Sequence, residues 1–175
     1  MRSRHLTVIF VAAALLFLSA CSVFVDLSGG GSVPVNAGPR MDLMIDQVDD
    51  GWSSESTRSL IRSLWARNAE LQSWFVLVDR PTRGSDTMYL NATVGDYRRD
   101  STRVGTPKHG YTTIHSVEVN VTFELIDAST GTVVAASIGR GSDSRSGSSA
   151  DAEAALRRGI DTGLVRLIRV YAGEG

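Results

Sequence analysis

The chain has 175 residues, 42% of them hydrophobic, with 18 Lys+Arg against 19 Asp+Glu and a single cysteine. These figures fit one globular domain plus a processed end, and they exclude a miniprotein stapled by disulfides. With a formal net charge of -1 and three histidines there is no basic excess for nonspecific nucleic-acid binding, so no nucleic-acid partner is expected.

Residues 1–20 have a basic start (Arg2, Arg4), an apolar stretch from Leu6 to Leu18 and a small-residue end before Cys21. That three-part layout is a secretory signal. Its apolar run is too short for a comfortable span, which needs about 20 residues, so residues 1–20 are expected to be removed. The local sequence Leu18-Ser19-Ala20-Cys21 resembles the lipobox of bacterial lipoproteins. The resemblance implies acylation of Cys21 as the first mature residue and a membrane partner held through it. Cys21 is the only cysteine, so it has no intramolecular disulfide partner. Several acyl chains at about 0.8 kcal/mol per buried methylene hold a protein on a bilayer more firmly than one. Ser22 in place of Asp at the second mature position looks like outer-membrane delivery, facing the periplasm. Loss of residues 1–20 leaves 16 basic and 19 acidic residues, net -3. Residues 22–40 contain Gly29, Gly30, Gly31, Pro34, Gly38 and Pro39 and read as a flexible tether, reaching at most roughly 65 Å when extended.

A single periplasmic domain is expected over residues 41–172. Residues 41–48 alternate Met41, Leu43 and Ile45 with Asp42, Met44 and Asp46, a first strand that ends at Asp49-Asp50-Gly51. Over residues 53–74, Leu60, Ile61, Leu64, Trp65 and Leu71 recur at helical spacing, with Ser53 or Ser54 as cap, which predicts one amphipathic helix. The short run 75–79 predicts a buried strand and, with what precedes it, a parallel βαβ start. Residues 88–98 place Leu90, Ala92 and Val94 on one face of a strand, and residues 99–110 read as a polar connection. Val117, Val119, Val121, Phe123 and Leu125 alternate with Glu118, Asn120, Thr122 and Glu124. This strand is buried on one face, and the turn 127–131 joins it to an antiparallel neighbour over 132–138. Residues 139–149, rich in Gly and Ser, read as a flexible loop, without the lysine of a P-loop. A last helix is expected from about 150 to 171, its Gly159 and Gly163 allowing close approach to the sheet. The fold class is α+β, an α/β sandwich with two amphipathic helices packed on one mixed sheet of four to five strands, whose other face is partly polar.

The phrases 75–80 (FVLVDR), 89–94 (YLNATV) and 121–134 (VTFELIDASTGTVV) resemble the periplasmic domain shared by the curli-production assembly lipoproteins, the lipoprotein activators of penicillin-binding proteins and the amino-terminal domain of TolB. The resemblance implies a non-catalytic envelope lipoprotein that binds another envelope protein; self-association stays open. A pore of the curli type needs added membrane-spanning hairpins, and none is visible. The tether is shorter than the long arm of the penicillin-binding-protein activators. Auxiliary lipid-handling lipoproteins of ABC transport systems have a comparable layout and form the alternative.

No reaction chemistry is expected. His109 and His115 have no accompanying cluster of metal ligands, no cofactor motif is present, and the serines of 142–149 lack a nucleophile elbow. Asp42, Asp46, Asp49 and Asp50 read as a solvated strand end in preference to a cation site. The triplets at Asn91 and Asn120 read as strand composition. Trp52, Trp65 and Trp74 discriminate between readings: burial in one core favours packing, exposure on a common patch favours a partner site.

Overall fold

The protein is described by a computed structural model that covers residues 38–51, 53–83 and 86–173. The leader, Cys21, the tether up to residue 37 and Trp52 lie outside the described residues. The chain divides into two units, Met1–Pro39 and Arg40–Gly175, and the described strands and helices all belong to the second.

Strand β1 (Met41–Asp49) buries Leu43 and Ile45 on one face, as the alternation predicts. Helix α1 (Ser54–Trp65) begins where Ser53 accepts from the Ser56 amide, and it buries Thr57, Ile61 and Trp65 at four-residue spacing. The helix stops there instead of running to residue 74. Asn68 Oδ1 accepts from the amides of Glu70 and Leu71 at 3.0 and 3.2 Å and starts a separate helix, α2 (Ala69–Trp74). Gln72 Nε2 donates to the carbonyls of Trp65 and Ala66 at 3.2 and 2.8 Å. Two amide side chains thus take over backbone groups that a continuous helix would have paired internally.

Strand β2 (Phe75–Leu77) runs parallel to β1, Met41 opposite Phe75, so the βαβ start is present. Strand β3 (Thr87–Val94) pairs parallel with the other edge of β1 and buries Met88, Leu90 and Ala92. Asp42, buried on β1, accepts from the Thr82 amide at 2.7 Å and so holds the loop between β2 and β3.

Residues 99–110 are not a polar connection. Strand β4 (Arg98–Thr106) continues the line of β3 along strand β5 (Gly110–Asp127). Val94 faces Val121 and Arg98 faces Glu118, so three residues on one strand oppose two on the other, a β-bulge at 95–97. All nine residues of β4 are exposed. No alternation of buried and exposed residues marks the strand in the sequence. The β4–β5 turn closes on Gly110 at φ 79°.

Strand β6 (Val133–Ser146) pairs antiparallel with β5 over most of its length. Asp127 Oδ1 fixes the connecting turn by accepting from the Ser129 amide and hydroxyl and the Thr130 amide at 2.7, 2.6 and 3.2 Å, and Gly131 takes φ 69°. The predicted flexible loop at 139–149 is therefore strand up to Ser146. Its glycines fill inward positions: Ala135, Ser137, Gly139, Gly141 and Asp143 are buried and their neighbours exposed.

Helix α3 (Ala152–Tyr171) explains why these positions are glycine. It lies on β5 and β6 and buries Leu156, Gly159, Ile160, Gly163, Leu164, Leu167 and Ile168. A Cβ at Gly139 would overlap the backbone of Gly159 and Gly163; one at Gly141 would overlap Ala155 and Gly159. One at Gly163 would stand 2.6 Å from the Phe123 ring. The predicted close approach through Gly159 and Gly163 thus has a matching pair of glycines on the strand. The result is an α+β fold with three helices on one face of a six-stranded mixed sheet, β2-β1-β3-β5-β4 with β6 beside β5.

Candidate binding arm and cleft

Beyond the bulge, β4, the first half of β5 and the last third of β6 extend the sheet into an arm. Strand β1 ends at Asp49 after pairing with β3 and not β4, so the outer edge of β4 has no strand neighbour among the described residues. Register places Arg99, Ser101 and Arg103 on the face of Val117, His115 and Thr113, and Arg98, Asp100, Thr102 and Val104 on the opposite face. The Arg103 guanidinium lies 4.3 Å from the centroid of the exposed Tyr111 ring, and Ser101 Oγ is 2.8 Å from His115 Nδ1. None of Arg98, Arg99, Arg103 and Lys108 forms an ion pair with a described residue. Residues 98–118 and 142–147 together carry five cations and three carboxylates; the rest of 40–175 carries eleven cations and fifteen carboxylates. The arm is the basic part of an otherwise acidic domain.

Asp143 pins the base of the arm. Its carboxylate accepts from the Asp151 amide at 2.8 Å, Arg145 Nε at 3.1 Å and Arg158 Nη1 at 3.3 Å, while Arg145 also reaches Asp151 at 3.1 Å. The Asp151 amide above all, then the charge and hydrogen bond of Arg145 and the charge of Arg158, hold the Asp143 carboxyl below the usual carboxylate range. Asp151 in turn caps α3 through the amides of Glu153 and Ala154. The β6 edge is covered from the same helix: Arg158 donates to the Ser142 carbonyl and Arg166 to the Ile138 carbonyl, the latter at 2.9 Å. Cationic cover of this kind blocks further strand pairing there.

A cleft of about 630 Å³ opens where the starts of α1 and α3 meet the bulge. Leu60, Leu156 and Tyr97 supply apolar surface, and Asp50, Glu55 and Glu153 supply carboxylates. Asp50 accepts from the Thr57 hydroxyl. Glu55 and Glu153 are exposed and pair along their own helices with Arg58 at 4.0 Å and Arg157 at 3.5 Å, pairs of the kind worth little in water. Burial, and then the charge of Asp50, raise the Tyr97 phenol above its ordinary value.

The residues singled out in the sequence do not converge. Asp42 is buried in its loop contact and Asp50 faces the cleft, with no shared site between them. Among the described residues no three His, Cys, Asp or Glu side chains gather as metal ligands. Asn91 Oδ1 accepts from the Gln47 amide at 3.2 Å, a strand-to-strand role. Trp65 is buried against Phe75, and half-buried Trp74 meets Tyr171 edge-on at 5.8 Å, so these two serve packing. The arm as a unit escapes the sequence reading. Its one signal there is a run of arginines between two β-prone segments.

Among the described residues no helix is long and apolar enough to cross a membrane. No family model and no curated protein sequence matches the chain. Solved structures do. The minor lipoprotein of Acinetobacter baumannii is 13% identical with a TM-score of 0.38, over 75% of this chain and 93% of that one. Rare lipoprotein B of Shewanella oneidensis is 11% identical with a TM-score of 0.35, over 75% and 94%. The PelC dodecamer of Paraburkholderia phytofirmans is 17% identical with a TM-score of 0.33, over 78% and 88%. At such values these are likenesses of general layout, and neither partner nor activity passes from them to this chain.

Proposed function

We propose that this chain is a non-catalytic module of a bacterial cell envelope, held to a membrane by acyl groups on Cys21 and working by binding another protein through the arm. Ser22 supports the outer membrane as its site, with the domain in the periplasm. The observation that carries the reading is β4: nine exposed residues on a strand whose outer edge has no described neighbour, bearing cations without carboxylate partners among the described residues. Such a strand buries little of its own surface, while a basic projecting edge is suited to steering and seating an acidic partner.

The lipid-handling alternative has the apolar floor of the cleft in its favour. Against it, the helix-to-sheet interface over Gly139 and Gly141 is closed backbone to backbone, and the cleft sets three carboxylates where an acyl chain would enter. The test is photo-crosslinking of the full chain in its native host, with a photoreactive residue at Thr102 or Thr106 on the arm, or at Arg67 as a distant control. Adducts to protein from the arm positions and not from Arg67 are expected. Equal yields from all three, or adducts to lipid only, overturn the reading.

A further inference from the structure

The fold makes two complementary surfaces and keeps them apart in one chain. Pairing between β5 and β6 ends at Ile114 opposite Ser146, so residues 103–113 stand beyond the three-stranded base as a two-stranded hairpin. This tip carries Arg103 and Lys108 as cations and Val104 and Tyr111 as exposed apolar side chains, 39% and 51% accessible. The cleft offers the counterpart, Glu55 and Glu153 above Leu60 and Leu156.

The tip cannot occupy the cleft of its own chain. Tyr97 lines the cleft and directly precedes β4, so the arm leads away from it, and the length of β4 puts Thr106, beside the turn that holds Lys108, about 26 Å from Arg98. The cleft's volume lies in the range of pockets that take whole small molecules, which leaves room for several side chains of a hairpin tip. The covered edge of β6 makes strand-to-strand pairing a weaker route to association there.

We propose that the tip of one copy docks in the cleft of a second copy by the face that carries Arg103 and Tyr111, Arg103 and Lys108 meeting Glu55 and Glu153, with Tyr111 against Leu60 and Leu156. This rests on the arm being a protein-binding surface and names its occupant. Tip and cleft are different patches, so the contact is head-to-tail and builds a closed ring or an open row. Each contact is small and charged; it is populated where copies are held together on one membrane and weakens with salt.

The test uses the full chain in membranes of its native host, with Glu55→Cys and Lys108→Cys introduced together, separately, or in two co-expressed chains. Mild oxidation of the double variant is expected to give a ladder of cross-linked species, the co-expressed single variants to stop at dimers, and each single variant alone to stay monomeric. Adding Arg103→Glu to the double variant should lower the cross-linked fraction about fivefold or more, and adding Glu153→Arg beside it should restore the ladder. Circular dichroism of each variant must show an unchanged melting point, since all four positions lie on the surface. Absence of the ladder, a ladder indifferent to Arg103→Glu, or dimers from Lys108→Cys alone overturns the proposal. If photo-crosslinks from Thr106 lead to a different envelope protein while the ladder is absent, the arm reading stands and self-docking falls. If the arm instead binds anionic phospholipid vesicles and no protein, both fall.

Discussion

Gly139→Ala separates a packed strand from a flexible loop by the sign of its effect. In a loop, replacing glycine with alanine stabilises by about 0.4–1 kcal/mol, because the unfolded chain loses freedom. Here the added Cβ would overlap the backbone of Gly159 and Gly163, with the Gly163 Cα at 2.7 Å. Ordinary carbon contacts lie at about 3.5–4.0 Å, so α3 must retreat by close to 1 Å or more. Backbone opposes backbone, and no rotamer change relieves the clash. The cost belongs at the upper end of overpacking, about 3 kcal/mol. For a domain of this size that lowers the melting temperature by roughly 10 °C. Thermal unfolding of the full chain by circular dichroism reads it, with the exposed Ser144→Ala on the same strand as control, expected within about 0.5 kcal/mol of the parent. A Gly139→Ala protein as stable as the parent, or more stable, refutes the interlocked-glycine account.

The same geometry makes three further outcomes measurable. Asn68→Ala removes the cap of α2 and should cost about 1 kcal/mol in urea unfolding, with Ser73→Ala on the same helix nearer neutral. Ser137→Ala strips the Gly163 carbonyl of a buried hydrogen bond of 2.8 Å and should cost about 1–3 kcal/mol, read by denaturant midpoint. Asp127 and Asp143 both titrate below the ordinary carboxylate range when folded. Their stabilisation is complete above the unfolded value of about 3.9 and is lost as pH falls through the depressed folded values. Melting temperature should therefore drop as pH falls below about 4, and Asp143→Asn should flatten that limb while lowering stability at neutral pH; an acid limb identical to the parent's contradicts the Asp143 assignment.

The parts legible in the sequence are those whose burial is written in apolar side chains. Val117 to Leu125 and the turn at Asp127 and Gly131 declare a strand and hairpin, and the spacing of Leu156, Ile160 and Leu164 declares α3. Residues 139–143 alternate just as regularly, with Gly139, Gly141 and Asp143 inward; Gly139 and Gly141 carry no side chain because the helix backbone occupies that space, and Asp143 is held by the Asp151 amide and two arginines. Strand β4 has no inward face to record, since all of it is exposed. Its neighbour along β5 becomes visible only once the bulge at 95–97 is known. The break between α1 and α2 turns on Asn68 and Gln72, two side chains competing locally with the helix within a hydrophobic pattern that continues across them. Of the candidate site, the arginines are in view but their placement on one arm is not, and the cleft joins residues as distant as Asp50, Tyr97 and Glu153.

In the proposed function, acylation of Cys21 is what places the arm at a bilayer. Mass spectrometry of the protein extracted from membranes of its native host tests this most directly. The expected amino-terminal peptide begins at Cys21 with the mass of its acyl groups, and residues 1–20 are missing. A chain that keeps Met1, or an unmodified Cys21 on soluble protein, would contradict the account.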